Sequence, residues 1–354
     1  MSLSLKLNAD AHSSAPVGKE AAAESLVRAE HWKRARNILA PQVTAHPDDA
    51  RSCYLLAEVK EAFGDLDGAL PLAQHAVELE GGNSDFHLEL GKIYGELASR
   101  ASLFSAGSLA TKFRKQLETA ISLNPRNVDA LDAMMQFKYQ APGIMGGSKD
   151  EARDLAGRIL ALNASEGYLS YAELAELDKD SAQMEGDYLK AVLANPKSYD
   201  AQVALAKFYS QPPHAKYNEA TKHAQEAMKL NPDRIQGYWI LARAFAVTQR
   251  WPDLDQVVAS AEKNIPDDLR PDYEAAQGLL EVGRDYQRAE GYARKFLSQE
   301  PEGGEPDAAD GHRLLGLVLE REGRKPEALA EIQTALRLRP NFKAAKEDLK
   351  RLED

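Results

Sequence analysis

Residues 50 to 83 read ARSCYLLAEVKEAFGDLDGALPLAQHAVELEGGN, and residues 309 to 342 read ADGHRLLGLVLEREGRKPEALAEIQTALRLRPNF. Laid over each other, the two stretches agree column by column. Leu56 meets Leu315, Ala57 meets Gly316, Gly64 meets Gly323, Ala69 meets Ala328 and Ala76 meets Ala335. Each stretch is 34 residues long and carries two apolar stripes at helical spacing, with a tight turn between them. Small residues at unit positions 8, 20 and 27 let two helix backbones approach. Larger apolar residues at positions 4, 7, 11 and 24 fill the seams between helices. A proline or turn residue near position 32 stops the second helix.

The period runs through nearly the whole chain. Nine units begin near Pro16, Ala50, Ser84, Val128, Ser165, Tyr199, Ile235, Arg270 and Ala309. Position 20 reads Ala35, Ala69, Phe113, Ala152, Met184, Ala220, Leu254, Ala289, Ala328. Position 27 reads Gln42, Ala76, Ala120, Ile159, Ala191, Ala227, Ala261, Phe296, Ala335. Stop residues fall at Pro47, Pro125, Pro196, Pro232, Pro266, Pro301 and Pro340. This pattern resembles the tetratricopeptide repeat family. The resemblance implies an all-α, right-handed superhelical solenoid of about nine helical hairpins over residues 16–342. Residues 343–354 read as a capping helix, apolar at Ala345, Leu349 and Leu352 and otherwise charged. Residues 1–15 lack periodicity and are expected to be disordered.

Two insertions break the period. Unit three starts at Ser84 and unit four at Val128, and the ten extra residues lie within residues 94–120. Leu97, Leu103, Phe104, Leu109 and Phe113 suggest lengthened helices around a turn at Ser105 to Gly107. The extension is either a harmless loop or a hairpin at 97–113 that makes a partner or dimer surface. The second insertion is APGIMGGSKDEA, residues 141–152. Counted as a phosphate-binding loop from Gly143, it lacks the second glycine, and Asp150 stands where a hydroxyl is needed. It also follows a helical pattern rather than a strand. It reads better as a wide inter-helix turn, with Gly143, Gly146 and Gly147 free to go left-handed and a capping box at Ser148 and Glu151. The segment holding both insertions resembles a subgroup of exported bacterial tetratricopeptide proteins that pair a long third unit with an APGI-x-GGS turn. That resemblance implies a periplasmic or envelope location with any signal removed, a cytoplasmic location being the alternative. It carries no catalytic residues.

Composition narrows the function classes. Hydrophobic content is 44%, charged content 28% and formal net charge −11, the balance of a folded acidic chain. That argues against nucleic acid and anionic membranes as main partners. No apolar run is long enough to insert in a membrane. Cys53, the single cysteine, falls in a packing column and reads as an inert thiol. The eight histidines show no zinc spacing, and His75 and His87 are the one pair that neighbouring helices could bring together. No serine sits in a nucleophile elbow. The chain is therefore read as a non-enzyme, with no cofactor and no metal.

First helices line the concave face of such a solenoid, and side chains at positions 2, 5, 9 and 12 point into it. The candidates are Arg51, Tyr54 and Glu58 in unit two, Leu88 and Lys92 in unit three, and Asp132, Gln136 and Tyr139 in unit four. Leu169, Glu173, Val203, Lys207, Trp239, Arg243, Arg313 and Leu317 continue the series. The partner-binding residues are read as Tyr54, Leu88, Lys92, Gln136, Tyr139, Leu169, Lys207, Trp239 and Arg243, in a groove of mixed chemistry. Family members that clamp chaperone tails pair Lys at position 5 with Asn at position 9, and no unit here does so. The expected function is a protein–protein interaction scaffold holding a protein or peptide segment. The alternatives are a structural subunit that oligomerises through the 97–113 hairpin, or a periplasmic accessory with an apolar ligand pocket beside Trp239.

Overall fold

A computed structural model describes residues 17–353. The expectation of a disordered segment at 1–15 falls outside the described residues. Among the described residues there are nineteen α-helices and no strand. The first helices of successive hairpins are α1 (Val17–Arg28), α3 (Ala50–Ala62), α5 (Ser84–Arg100), α7 (Val128–Gln140), α9 (Ala164–Leu177), α11 (Tyr199–Ser210), α13 (Gln236–Val247), α15 (Arg270–Val282) and α17 (Ala308–Arg321). Their second helices are α2 (Trp32–Ala45), α4 (Leu66–Leu79), α6 (Leu103–Leu123), α8 (Lys149–Leu162), α10 (Ser181–Ala194), α12 (Tyr217–Leu230), α14 (Trp251–Asn264), α16 (Tyr286–Phe296) and α18 (Lys325–Leu338). A final helix, α19 (Lys343–Glu353), packs on α18.

Local chemistry sets the helix ends. Asp49, Asp65, Asn127, Asn163, Asp180 and Ser198 each accept a first-turn backbone amide of the helix that follows. The turn inside a hairpin uses a left-handed residue. Gly64, Gly283 and Gly323 supply it at φ of +72°, +68° and +77°, whereas Glu30, Lys179 and Gln249 hold +63°, +59° and +57° without being glycine. The alanines at position 20 (Ala35, Ala69, Ala152, Ala220, Ala289, Ala328) are fully buried. A Cβ on Gly316 would lie 2.9 Å from Ile332 Cδ1 and 3.2 Å from the Ala328 carbonyl oxygen, so α17 and α18 meet backbone to backbone.

Each first helix also packs on the first helix of the next unit, from α1 on α3 through to α15 on α17, and no second helix packs on the next to a comparable extent. First helices therefore crowd along the inner wall while second helices splay outside, and the stack curves. The curve closes on itself. Arg34 forks onto the Asp267 carboxylate, with Nε 2.8 Å from Oδ2, and Arg36 onto Glu300 at 2.6 and 3.1 Å. The Lys33 amide donates to Glu302 at 3.0 Å, and its ammonium donates to the Glu300 carbonyl at 2.7 Å and to the Asp267 carbonyl. The Gly304 amide donates to the Ala62 carbonyl at 2.6 Å. Glu30, held left-handed, takes Arg234 at 2.9 Å and Gln236 at 2.6 Å. Unit one thus docks on the turns between units six and nine, and the concave face becomes the wall of an enclosed lumen.

Both insertions differ in detail from their sequence reading. The long hairpin turns at Ala101 and Ser102, not at Ser105 to Gly107. The reason is that the Ser102 carbonyl already accepts the amides of Ser105 and Ala106, so α6 starts at Leu103 and Gly107 stays helical. The side chains of Leu103 and Phe104 lie outside the described residues. Leu97 and Leu109 pack inward with Tyr94 and Phe113. In the second insertion only Gly146 is left-handed, at φ +94°. Gly147 is required instead by close approach, because a Cβ there would fall 1.7 Å from the Ala141 carbonyl oxygen, and Gly143 has open space around it. Half of the capping box forms: Ser148 accepts the Glu151 amide at 3.3 Å, while the Glu151 carboxylate pairs with Lys138 and the Ser148 amide goes to the Lys138 carbonyl.

Glycine tolerates the left-handed turn that Glu30 occupies but has no carboxylate. Glu30→Gly is expected to keep the α1–α2 turn and loosen the ring. Small-angle scattering should show a larger radius of gyration than wild type at low salt, and wild type should expand toward it at about 1 M salt, where charge pairs are screened. Equal radii at all salt concentrations would exclude Glu30 as a closing contact.

Candidate functional site

The inner wall holds two cavities. The larger, about 1100 Å³, lies between α3, α5, α6, α7 and α9. Its two sides differ in chemistry. One side is carboxylate: Glu61, Asp129, Asp132, Glu166 and Glu173 line it, with Lys92 among them. Glu89 lies behind, 1% exposed, with Oε2 3.5 Å from Lys92 and its carboxyl hydrogen-bonded to that of Glu61. The opposite side is apolar and built by the two insertions together. Ala98, Ala110 and Phe113 come from the long hairpin, and Pro142 and Met145 from the 141–148 turn. The insertions meet where an Arg114 nitrogen lies 3.5 Å from the Met145 carbonyl, and Phe113 packs edge-on to Phe137 of α7 at 5.6 Å.

Crowding of carboxylates in a partly dry recess shifts their protonation. Burial is the leading cause for each, and neighbouring acids add to it. Glu58, Glu61, Glu89, Asp132 and Glu166 are all raised, and Glu173 is pushed up to about 8. Burial opposes the charge on Lys92, but Glu89, Glu58 and Glu61 outweigh it and hold the ammonium protonated. Gln136 donates its amide to Asp132 and to Glu173, 3.0 Å each, and Ser170 donates to Asp132 at 2.7 Å. Those are two neutral donors and one cation against the acidic wall.

The smaller cavity, about 440 Å³, lies between α11, α13, α15 and α17. Trp239 and Tyr273 sit there among Lys207, Gln236, Arg270, Glu274 and Asp310. This pocket is polar and carries both charge signs, unlike the apolar pocket that a small-ligand accessory would use.

The nine residues read as partner-binding divide into three groups. Lys92, Gln136 and Leu169 line the larger cavity, and Lys207 and Trp239 the smaller. Tyr54 is half-buried, stacked on Phe86 at 4.9 Å and donating to Glu58 at 2.8 Å. Leu88, Tyr139 and Arg243 are buried. Leu88 packs in the core with Leu117 and Leu131. The Tyr139 hydroxyl donates to Asp178 and receives Lys149 at 2.7 Å. Arg243 ties α13 to α15 through Glu274 at 3.2 Å and Glu281 at 2.6 Å. The sequence reading missed Glu61, Asp129 and Glu166, although each stands at position 12 or 2 of its unit. Charge read down those columns would have found them. Glu89, at position 6, carried no such signal. His75 and His87 do not meet: His75 reaches the Pro47 carbonyl at 3.2 Å, and His87 reaches Gln116 at 2.6 Å and the Gly81 carbonyl at 3.0 Å. Cys53 is 1% exposed and its thiol is raised by burial.

Helical hairpins stacked edge to edge, with a lumen lined by their first helices, define a helical-repeat solenoid of the interaction-scaffold type. A tetratricopeptide repeat model matches residues 20–93 and 273–341. Among solved structures it resembles yeast Tom70, at 14% identity over 95% of this chain and 81% of that one, with a TM-score of 0.52. It also resembles a thermophilic TPR protein of Thermus thermophilus, at 20% identity over 55% and 98% of the two chains, TM-score 0.48. A tetratricopeptide repeat protein from Parabacteroides merdae aligns at 16% identity over 86% and 99%, TM-score 0.45. Identities this low speak for the fold alone. No curated protein matches the sequence. No described helix is long and apolar enough to cross a membrane.

The folded state holds the Glu173 proton more tightly than the unfolded chain, whose carboxyl keeps the ordinary value of 4.5. Stability tied to this group is full below that value and is lost as pH rises toward about 8. Glu173→Gln is therefore expected to melt above wild type at about pH 8 and to converge with it near pH 5. Thermal melts across that range check it, and a gap that does not change with pH would remove Glu173 from the coupled cluster.

Proposed function

We propose that the chain is a non-enzymatic docking scaffold that holds a protein segment along the inner wall of its superhelix. One observation carries the reading. The side chains of Lys92, Gln136, Leu169, Lys207 and Trp239 line two cavities walled by first helices. An extended segment lying along first helices would pass both. Trp239, half-buried on the α13–α15 core and open on its other face, has the build of an anchor. Self-assembly through the 97–113 hairpin finds less support, because Leu97, Leu109 and Phe113 are already engaged inside. The likeness of the two insertions to exported bacterial proteins supports placing this scaffold in the envelope.

The test is affinity capture from the source cell with wild type and a Lys207→Ala, Trp239→Ala variant. Arg243 is kept, because it holds two helices together. Loss of an anchor of this kind costs about 2 kcal/mol or more, roughly thirtyfold in affinity. A partner captured by wild type and lost by a variant of unchanged helicity supports the groove. A partner held equally by both moves the site elsewhere.

A further inference from the structure

The larger cavity has many more acidic than basic side chains in its lining. Lys92 is the one cation among its lining residues, facing Glu61, Asp129, Asp132, Glu166 and Glu173. Glu89 is the sharper observation. It is almost wholly buried between Glu61 and Lys92, and its carboxyl is raised and hydrogen-bonded to that of Glu61, as that of Glu173 is to Asp132. Carboxyls held this close can ionise together only at a cost, and an incoming cation with N–H groups beside Glu61, Asp132 and Glu173 offsets it. The space is not shaped for a metal ion, since among the described residues no three His, Cys, Asp or Glu side chains converge closely enough to hold one. It suits a larger cation. The same cavity is lined by the apolar side chains of Ala110, Phe113 and Met145, which the stem of a long cationic side chain would cover.

We propose that this cavity receives a lysine or arginine side chain from an extended segment of a partner protein, its charged head on the carboxylates around Glu89 and its aliphatic stem along the Phe113 and Met145 wall. The inference rests on the groove being the docking surface and names the chemistry of what docks there. It makes the groove polarised. Units two to five select a basic residue, and units six to nine, where both charge signs are present, take a mixed part of the segment. The two insertions, which interrupt the repeat, are then specificity elements, because together they supply the wall that the stem lies on.

The test uses the full chain and three fluorescent peptides: one alternating leucine with arginine, one alternating serine with arginine, and one alternating leucine with glutamate. Anisotropy is expected to rank them in that order of affinity, with the first weakened by salt. A Glu89→Gln, Asp132→Asn, Glu173→Gln variant should lose about tenfold or more for the leucine–arginine peptide. A control variant that removes the same number of carboxyls from the outer surface, Glu78→Gln, Asp150→Asn, Glu347→Gln, should stay within about twofold of wild type. The cavity variant relieves crowded carboxylates and should melt no lower than wild type, so lost binding cannot be lost folding. Spermine, carrying charge without a polypeptide, should compete only in large excess. Equal loss in the two variants, unchanged binding in the cavity variant, or displacement by equimolar spermine would each overturn the proposal. Capture through Lys207 and Trp239 could still succeed, so this inference can fail while the groove reading stands.

Discussion

The distance between helix backbones governs this molecule. Wherever alanine or glycine stands at a crossing point, two helices meet at backbone contact, as α17 and α18 do at Gly316 and Ala328. Close contact fixes the angle within each hairpin, and repeated hairpins then stack at one rotation. First helices touch their successors and second helices do not to the same degree. That difference in crowding bends the stack, and enough bending brings unit one to the far turns, where Glu30, Lys33, Arg34 and Arg36 meet their partners.

Departures from that distance make the site. Phe113 stands where alanine would close the third hairpin. Its ring packs against Gly95, where an added Cβ would lie 3.4 Å away, at ordinary contact distance. Lengthened α5 and α6 carry the hairpin past its neighbours, and the 141–148 turn reaches back to Arg114. The result is a recess of about 1100 Å³ that regular repeats would have filled. Its acidic side is held at a cost, since burial and neighbouring acids raise Glu61, Glu89, Asp132, Glu166 and Glu173. Evenly paired charges would be more stable. The closing contacts share this tension. Glu302 is buried, its carboxyl pushed up to about 7, and its Oε2 stands 3.2 Å from a Lys33 ammonium whose hydrogen bonds go to two carbonyls. A ring joined by such contacts is firm and also sensitive to salt and pH.

Much of this was legible in the sequence, for a physical reason. Helical periodicity, small-residue columns and caps are local or near-local signals, and each hairpin depends only on its neighbours. The all-α solenoid, the buried alanines and the inward first helices therefore followed from residues 50–83 and 309–342 and their echoes. The position rule also carried Lys92, Gln136, Leu169, Lys207 and Trp239 into the cavities. It misled at Leu88, Tyr139 and Arg243, because a side chain at an inward position still packs inside when a neighbouring helix offers a hydrophobic seam or a carboxylate. Only the tertiary structure could decide what is far apart in sequence. Glu30 and Arg234, or Lys33 and Glu302, meet because small rotations accumulate over many units, and no single unit encodes that sum. In the same way the two insertions read as separate interruptions of a period, and they form one wall because α6 and the 141–148 turn lie side by side in space.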